Sequence, residues 1–93
     1  PDTEGLVDMP RAILGVEVVA LVSEVDPGKV KVSLRSSGRL SIDGVCQKYG
    51  GGGHAHAAGV QMRCSREEAK ARIVPELSRL LAELDAAAGG GGR

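Results

Sequence analysis

Val30-Lys31-Val32-Ser33-Leu34-Arg35-Ser36 is the stretch on which the fold turns. Val30, Val32 and Leu34 share one side of an extended chain, and Lys31, Ser33 and Arg35 share the other. That is the two-residue period of a strand lying over a core. Just before it, Asp26-Pro27-Gly28 has the chemistry of a reversing turn: Pro presets φ at the first central position and Gly is free to take φ > 0 at the second. Upstream of the turn, the run from Gly15 to Val22 is β-branched with the single charge of Glu17, and predicts a strand covered on both faces.

Downstream, Ser37-Gly38-Arg39 reads as a loop and Ser41 as the N-cap of a short helix whose Ile42, Val45, Cys46 and Tyr49 keep the spacing of a buried stripe. Gly50 ends that helix. Ala55-His56-Ala57-Ala58-Gly59 suits one tight turn, and Val60 to Cys64 alternates as a third strand. Ser65-Arg66-Glu67-Glu68 is a capping box opening a second helix, with Ile73, Leu77, Leu80 and Leu84 as its apolar stripe. Pro75 cannot donate to Ala71, so the spacing predicts a kink there or a first turn that docks separately. Glu68 with Arg72 and Glu76 with Arg79 decorate a solvated face. A short helix from Leu6 to Ile13 leads in. The order is thus β-β-α-β-α, an α/β (α+β) single domain with a mixed sheet and helices packed on it. The expected organisation is a linker or short helix over 1–14, the domain over 15–86 and a flexible Gly-rich tail over 87–93.

With 93 residues and 9.5 kDa, 42% hydrophobic, one Tyr and no Phe or Trp, the core must come from Val, Leu, Ile, Ala and Met. A chain this short hides only about 60–65% of the surface its unfolded form exposes. Twelve cations against twelve carboxylates exclude a general nucleic-acid coat, and 1% aromatic residues exclude a base-stacking platform. The zero is a cancellation. Residues 1–28 carry Arg11 against six carboxylates, and residues 29–63 carry Lys29, Lys31, Arg35, Arg39, Lys48 and Arg63 against Asp43 alone. Two cysteines make no disulfide framework, no leader pattern opens the chain, and the longest apolar run, Val18 to Val22, falls far short of the roughly 20 residues of a membrane helix. A soluble protein of the reducing cytoplasm, with no membrane partner, is expected. The start at Pro1 without Met, and Gly89 to Gly92 before Arg93, lead to the expectation of a piece of a longer protein.

The informative segment is Gly50-Gly51-Gly52-Gly53-His54-Ala55-His56-Ala57-Ala58-Gly59. Four consecutive glycines cost conformational entropy that a simple connection does not require. Without Cβ atoms, backbone N–H groups can approach an anion or the edge of a base. A helical turn over Ala55 to Ala58 would add partial positive charge, and His54 would supply a donor to phosphate. Arg35, at the strand end, offers the guanidinium fork that suits phosphate or guanine. Cys46, His54, His56 and Cys64 lack the closely spaced ligand pairs of a zinc site, and both cysteines read as small core residues. No catalytic triad or two-metal arrangement is recognisable.

On these residues, the strand Val30 to Ser36 followed by Gly50-Gly51-Gly52-Gly53-His54 and Ala57-Ala58-Gly59, the chain resembles the C-terminal DHH-associated domain of the DHH-family phosphoesterases, of the nanoRNase/pAp-phosphatase and RecJ-like kind. The likeness covers roughly Glu4 to Leu84. It implies a substrate-binding domain that closes over a cleft, with Arg35 and Ser36 contacting phosphate or base, Gly51, Gly52 and Gly53 presenting backbone, and His54 holding a phosphate. It further implies that manganese and water activation belong to a DHH catalytic domain outside this chain. The partners would then be nucleotides or short single-stranded oligonucleotides. The substrate of such a phosphoesterase would be nanoRNA, pAp or a cyclic dinucleotide. This chain would bind without cleaving and hold no metal itself.

Two other readings stay open. One is a tRNA-binding or self-association module like the C-terminal domain of alanyl-tRNA synthetase, from which His54 and the Ala-Ala-Gly ending point away. The other is an enzyme acting alone.

Overall fold

The computed structural model describes residues 4–11, 16–38 and 40–90. Five strands, β1 (Glu4–Arg11), β2 (Val16–Asp26), β3 (Lys29–Ser36), β4 (Gly52–His54) and β5 (Ala57–Met62), form one sheet in the order β1-β2-β3-β5-β4. Every pairing is antiparallel, where a mixed sheet was expected. Helices α1 (Asp43–Lys48) and α2 (Arg66–Gly90) pack on one face of it, α2 over β2 and β3 and α1 over β4 and β5, which makes a small α+β domain.

The alternation around Val30 positions the core. Val30, Val32 and Leu34 meet Val16, Val18, Ala20 and Val22 of β2 and Ala58, Val60 and Met62 of β5 on the helix-covered side. Among the described residues no polar or charged residue is buried. Pro27-Gly28 reverses the chain, with Gly28 at φ 75°, and β2 carries an irregularity between Glu24 and Asp26 just before it.

Several expectations give way to the packing. The segment expected as a helix from Leu6 is strand β1 through Arg11, paired with β2 over its whole length; residues 12–13 lie outside the described residues. A helix there would carry Pro10 in its interior, whereas an edge strand tolerates the missing N–H. β2 is covered on one face only, because both helices lie on the same side and leave Val19 and Leu21 half-exposed. Ser41 does not cap α1. Ile42 holds the cap position without a side-chain bond, and the Ser41 hydroxyl donates instead to the Asp43 carboxylate at 2.8 Å. Gly50 follows the helix as foreseen, at φ 92°, with its N–H on the Gln47 carbonyl and that of Gly51 on the Cys46 carbonyl. This is the paired C-terminal closure of a Schellman motif.

The N-terminus of α2 matches its reading, since the Ser65 hydroxyl accepts the Glu68 N–H at 3.1 Å. The helix runs unbroken through Pro75, and no first turn docks apart from it. Pro75 and Ala71 are both exposed, so the Ala71 carbonyl that Pro75 leaves without a donor faces water. Ala69, Ile73, Leu77 and Leu81 are the fully buried positions, with Leu80 and Leu84 flanking. α2 also extends to Gly90, so the tail expected from residue 87 begins inside helix, and 91–93 lie outside the described residues.

Candidate functional site

The sheet face away from the helices is where the polar alternation of β3 points. Strand register sets three rows across it. Arg35 lies opposite Ala57, which lies opposite His54. One pleat further along stand Ser33, Gly59 and Gly52, and beyond them Lys31 and Gln61. Neighbouring strands are about 4.8 Å apart, so Arg35 and His54 bracket Ala57 at roughly 10 Å between their backbones. Lys31, Ser33, Arg35, Gly52, Ala57 and Gly59 border an open depression of about 250 Å³. Arg35 also borders a smaller hollow of about 150 Å³ with Glu17, Val19, Ser36 and Ser37.

Lys31, Arg35 and His54 of this face have no ion-pair partner among the described residues. The helices differ. Lys48 and Arg79 both engage Glu76, Arg79 also reaches Glu83, and Arg72 engages Glu68. Hence the cavity of about 220 Å³ between α1 and α2 is walled by cations already paired with Glu76 and, for Arg79, Glu83. The charge split of the sequence has a spatial form: β3, β5 and β4 contain no carboxylate, and the acidic residues of 1–28 that lie in strands belong to β1 and β2.

The four glycines have different reasons to be glycine. Gly50 takes φ 92° at the end of α1. A Cβ on Gly51 would overlap the Gly59 carbonyl and Val60, and one on Gly53 would overlap Ala57 and Ala58, so both allow β4 to lie close against β5. Gly52 is the exception, since a Cβ there would meet nothing within 4 Å. Its bareness serves no contact within the fold and opens the floor of the depression. The Ser36 N–H bonds the His56 carbonyl, which makes 36 and 56 a hydrogen-bonded pair; by ladder alternation Ala57 and Gly59 bond β4, and Gly53 turns its N–H and carbonyl away from β5.

The structure therefore brings Arg35, Gly52 and His54 to one face and assigns Gly51 and Gly53 to strand packing, with Gly53 exposed at the edge. Ser36 stands apart: its hydroxyl donates to the Leu40 carbonyl at 2.7 Å and ties down the loop after β3. The helical turn expected over Ala55 to Ala58 is instead the tip of the β4–β5 hairpin, with Ala55-His56 as the turn, so the helix terminus expected there does not form. Its edge pairing satisfies the Ala57 and Gly59 backbone, which a helical turn would leave open. Gly59, Ala57, Ser33 and Lys31 join the site only through β3–β5 pairing, although Lys31 and Ser33 share the side of the strand that Arg35 leaves.

Cys46 and Cys64 are free and buried, and desolvation holds both thiols above their ordinary value, assisted by Asp43 at Cys46 and by Glu68 at Cys64. Neither is an activated nucleophile. Among the described residues no three of His, Cys, Asp and Glu gather as a metal set. No described helix is long and apolar enough to cross a membrane.

Two comparisons bear on this site. The DHHA1 domain family matches residues 2–83. The bifunctional oligoribonuclease and PAP phosphatase NrnA of Thermus thermophilus is 37% identical over 62 residues, 67% of this chain and 19% of that protein. The chain thus matches about a fifth of the length of that curated relative.

Proposed function

We propose, from the premise that this chain belongs to the DHHA1 domain family, that it is a substrate-gripping domain for nucleotides and short single-stranded oligonucleotides. The observation that carries the reading is the row Arg35–Ala57–His54: a guanidinium and an imidazole, neither with an ion-pair partner among the described residues, on either side of a methyl group. A phosphate seated on Ala57 lies within reach of both, and the floor formed by Gly52 and Gly59 lets the attached nucleoside lie close to backbone. The named activities of the Thermus relative, an oligoribonuclease and PAP phosphatase, act on substrates of this chemistry. The domain binds and orients, and a separate DHH domain in the same cytoplasmic protein supplies manganese and hydrolysis. A grip of this kind contributes by holding the scissile ester in position, the effect that converts encounter into reaction.

Titration of the chain with 5′-AMP or pApA, followed by amide chemical shifts, tests the assignment. Arg35, Gly52, His54, Ala57 and Gly59 should move together at millimolar ligand. Shifts confined to other parts of the sheet would refute it. Salt-sensitive binding of intact tRNA, far tighter than that of dinucleotides, would favour a tRNA module instead.

A further inference from the structure

Lys31 is the cation bordering the depression that a single bound phosphate leaves unused. It lies four residues from Arg35 on the same side of β3, about 13 Å along the strand, and lines the same depression. It is exposed and has no ion-pair partner among the described residues, and Gln61 stands opposite it on β5. Between Lys31 and Arg35 comes the row of Ser33, Gly59 and Gly52, two of whose three members lack a side chain. The face is therefore graded along β3: a cationic row, a bare row carrying one hydroxyl, and a second cation. Both side chains are long enough to lean along the strand toward each other over the bare row between them.

We infer that Lys31 supplies a second phosphate contact, so that the site prefers a ligand with two phosphates on either side of one nucleoside over a ligand with one. This rests on the reading of the Arg35–His54 row as the first phosphate position. In that arrangement the nucleoside lies over Gly59 and Gly52, with the Ser33 hydroxyl at its edge. Lys31 then meets the phosphate that follows, either the second one of a nucleoside bisphosphate or the internal one of a dinucleotide. Lys29, one pleat further on, does not border the depression and provides a control of equal charge.

The test is calorimetric titration of the chain with 5′-AMP and with adenosine 3′,5′-bisphosphate, for the unmodified protein, Lys31→Ala and Lys29→Ala. The expected result is a preference for the bisphosphate of about fivefold, the upper range for one exposed charge pair. Lys31→Ala should collapse that preference to near unity, and Lys29→Ala should retain it. A preference that survives Lys31→Ala overturns the inference, as does an equal loss in Lys29→Ala, which would mark a long-range charge effect. If 5′-AMP binds with shifts at Arg35 and His54 but the ratio ignores Lys31, only the second contact fails. If neither ligand shifts those amides, the phosphate reading fails together with it.

Discussion

Arg35 on β3 and His54 on β4 stand in one row on the open face of the sheet, with Ala57 of β5 between them. Neither belongs to the core, and neither side chain has a hydrogen-bond or ion-pair partner among the described residues. Their removal should thus separate binding from folding. Arg35→Ala and His54→Ala are each expected to weaken 5′-AMP binding about fivefold while changing unfolding free energy by no more than about 0.5 kcal/mol. Because both would hold one phosphate, the double variant should lose less than the sum of the single losses. Arg35→Lys should recover only part of the affinity, since an ammonium cannot replace a bidentate fork. Titration calorimetry with urea unfolding on the same samples checks this; unaltered affinity in the double variant would remove the row from the site.

The glycine run offers a contrast between neighbours. Gly51→Ala and Gly53→Ala drive a methyl group into β5, and Gly53 also holds φ at 151°. Each should cost about 1–3 kcal/mol of stability. Gly52→Ala meets open space, so its stability should stay within about 1 kcal/mol, upward if it changes, because the substitution narrows the unfolded ensemble. Its nucleotide affinity should nevertheless fall, as the methyl group stands on the floor of the depression. Urea midpoints of the three variants, with 5′-AMP titration of Gly52→Ala, decide it. Equal destabilisation at all three positions would contradict the assignment of separate roles.

Legibility followed how local each signal was. The β3 alternation and the Pro27-Gly28 turn are written in adjacent residues, so those elements, and Arg35 with them, were readable. β1 was not, because Gly5, Asp8 and Pro10 dilute any strand propensity and the segment is held by pairing with β2. β4 has three residues, two of them glycine, with no propensity of its own; it exists because β5 presents an edge to pair with. The site was half visible for the same reason. His54 and Gly52 drew attention through the glycine run, but Gly59 and Ala57 matter only because β5 crosses more than twenty positions of sequence to lie beside β3. The composition of Ser36 gave no hint that its hydroxyl is taken by Leu40.

The register of α2 is testable by truncation. Sequence spacing puts Leu80 in the buried stripe, while the structure puts Leu81 there at 0% exposure and Leu80 at the flank. Leu81→Ala should therefore cost about 3 kcal/mol, in the range for a buried leucine that leaves a cavity, and Leu80→Ala clearly less. Leu77, also at 0% exposure, should behave like Leu81. Chemical denaturation of the three variants measures the order, and a larger loss at Leu80 than at Leu81 would shift the helix by one position.

Glu76 gives the acid side of the stability curve a specific origin. Its hydrogen bond from Lys48 of α1, followed by that from Arg79, holds its carboxyl below the ordinary carboxylate value. Lys48 is correspondingly raised by the same bond. A depressed carboxylate stabilises the fold at pH values above its unfolded pKa, about 4.3, and that contribution disappears as pH falls through the lower folded value. Lys48 works at the opposite end: a raised ammonium stabilises below its unfolded value and loses its contribution as pH climbs through the folded one. Replacing Glu76 by Gln should therefore lower the thermal midpoint most near neutrality, where the pair is lost, and flatten its fall as pH drops below about 5. Lys48→Met should flatten the same acid limb partially, because Arg79 still faces Glu76 at 2.9 Å. Thermal unfolding by circular dichroism across that range reads the difference. Parallel acid limbs in Glu76→Gln and the unmodified chain would show that the α1–α2 ion pair carries none of the acid sensitivity.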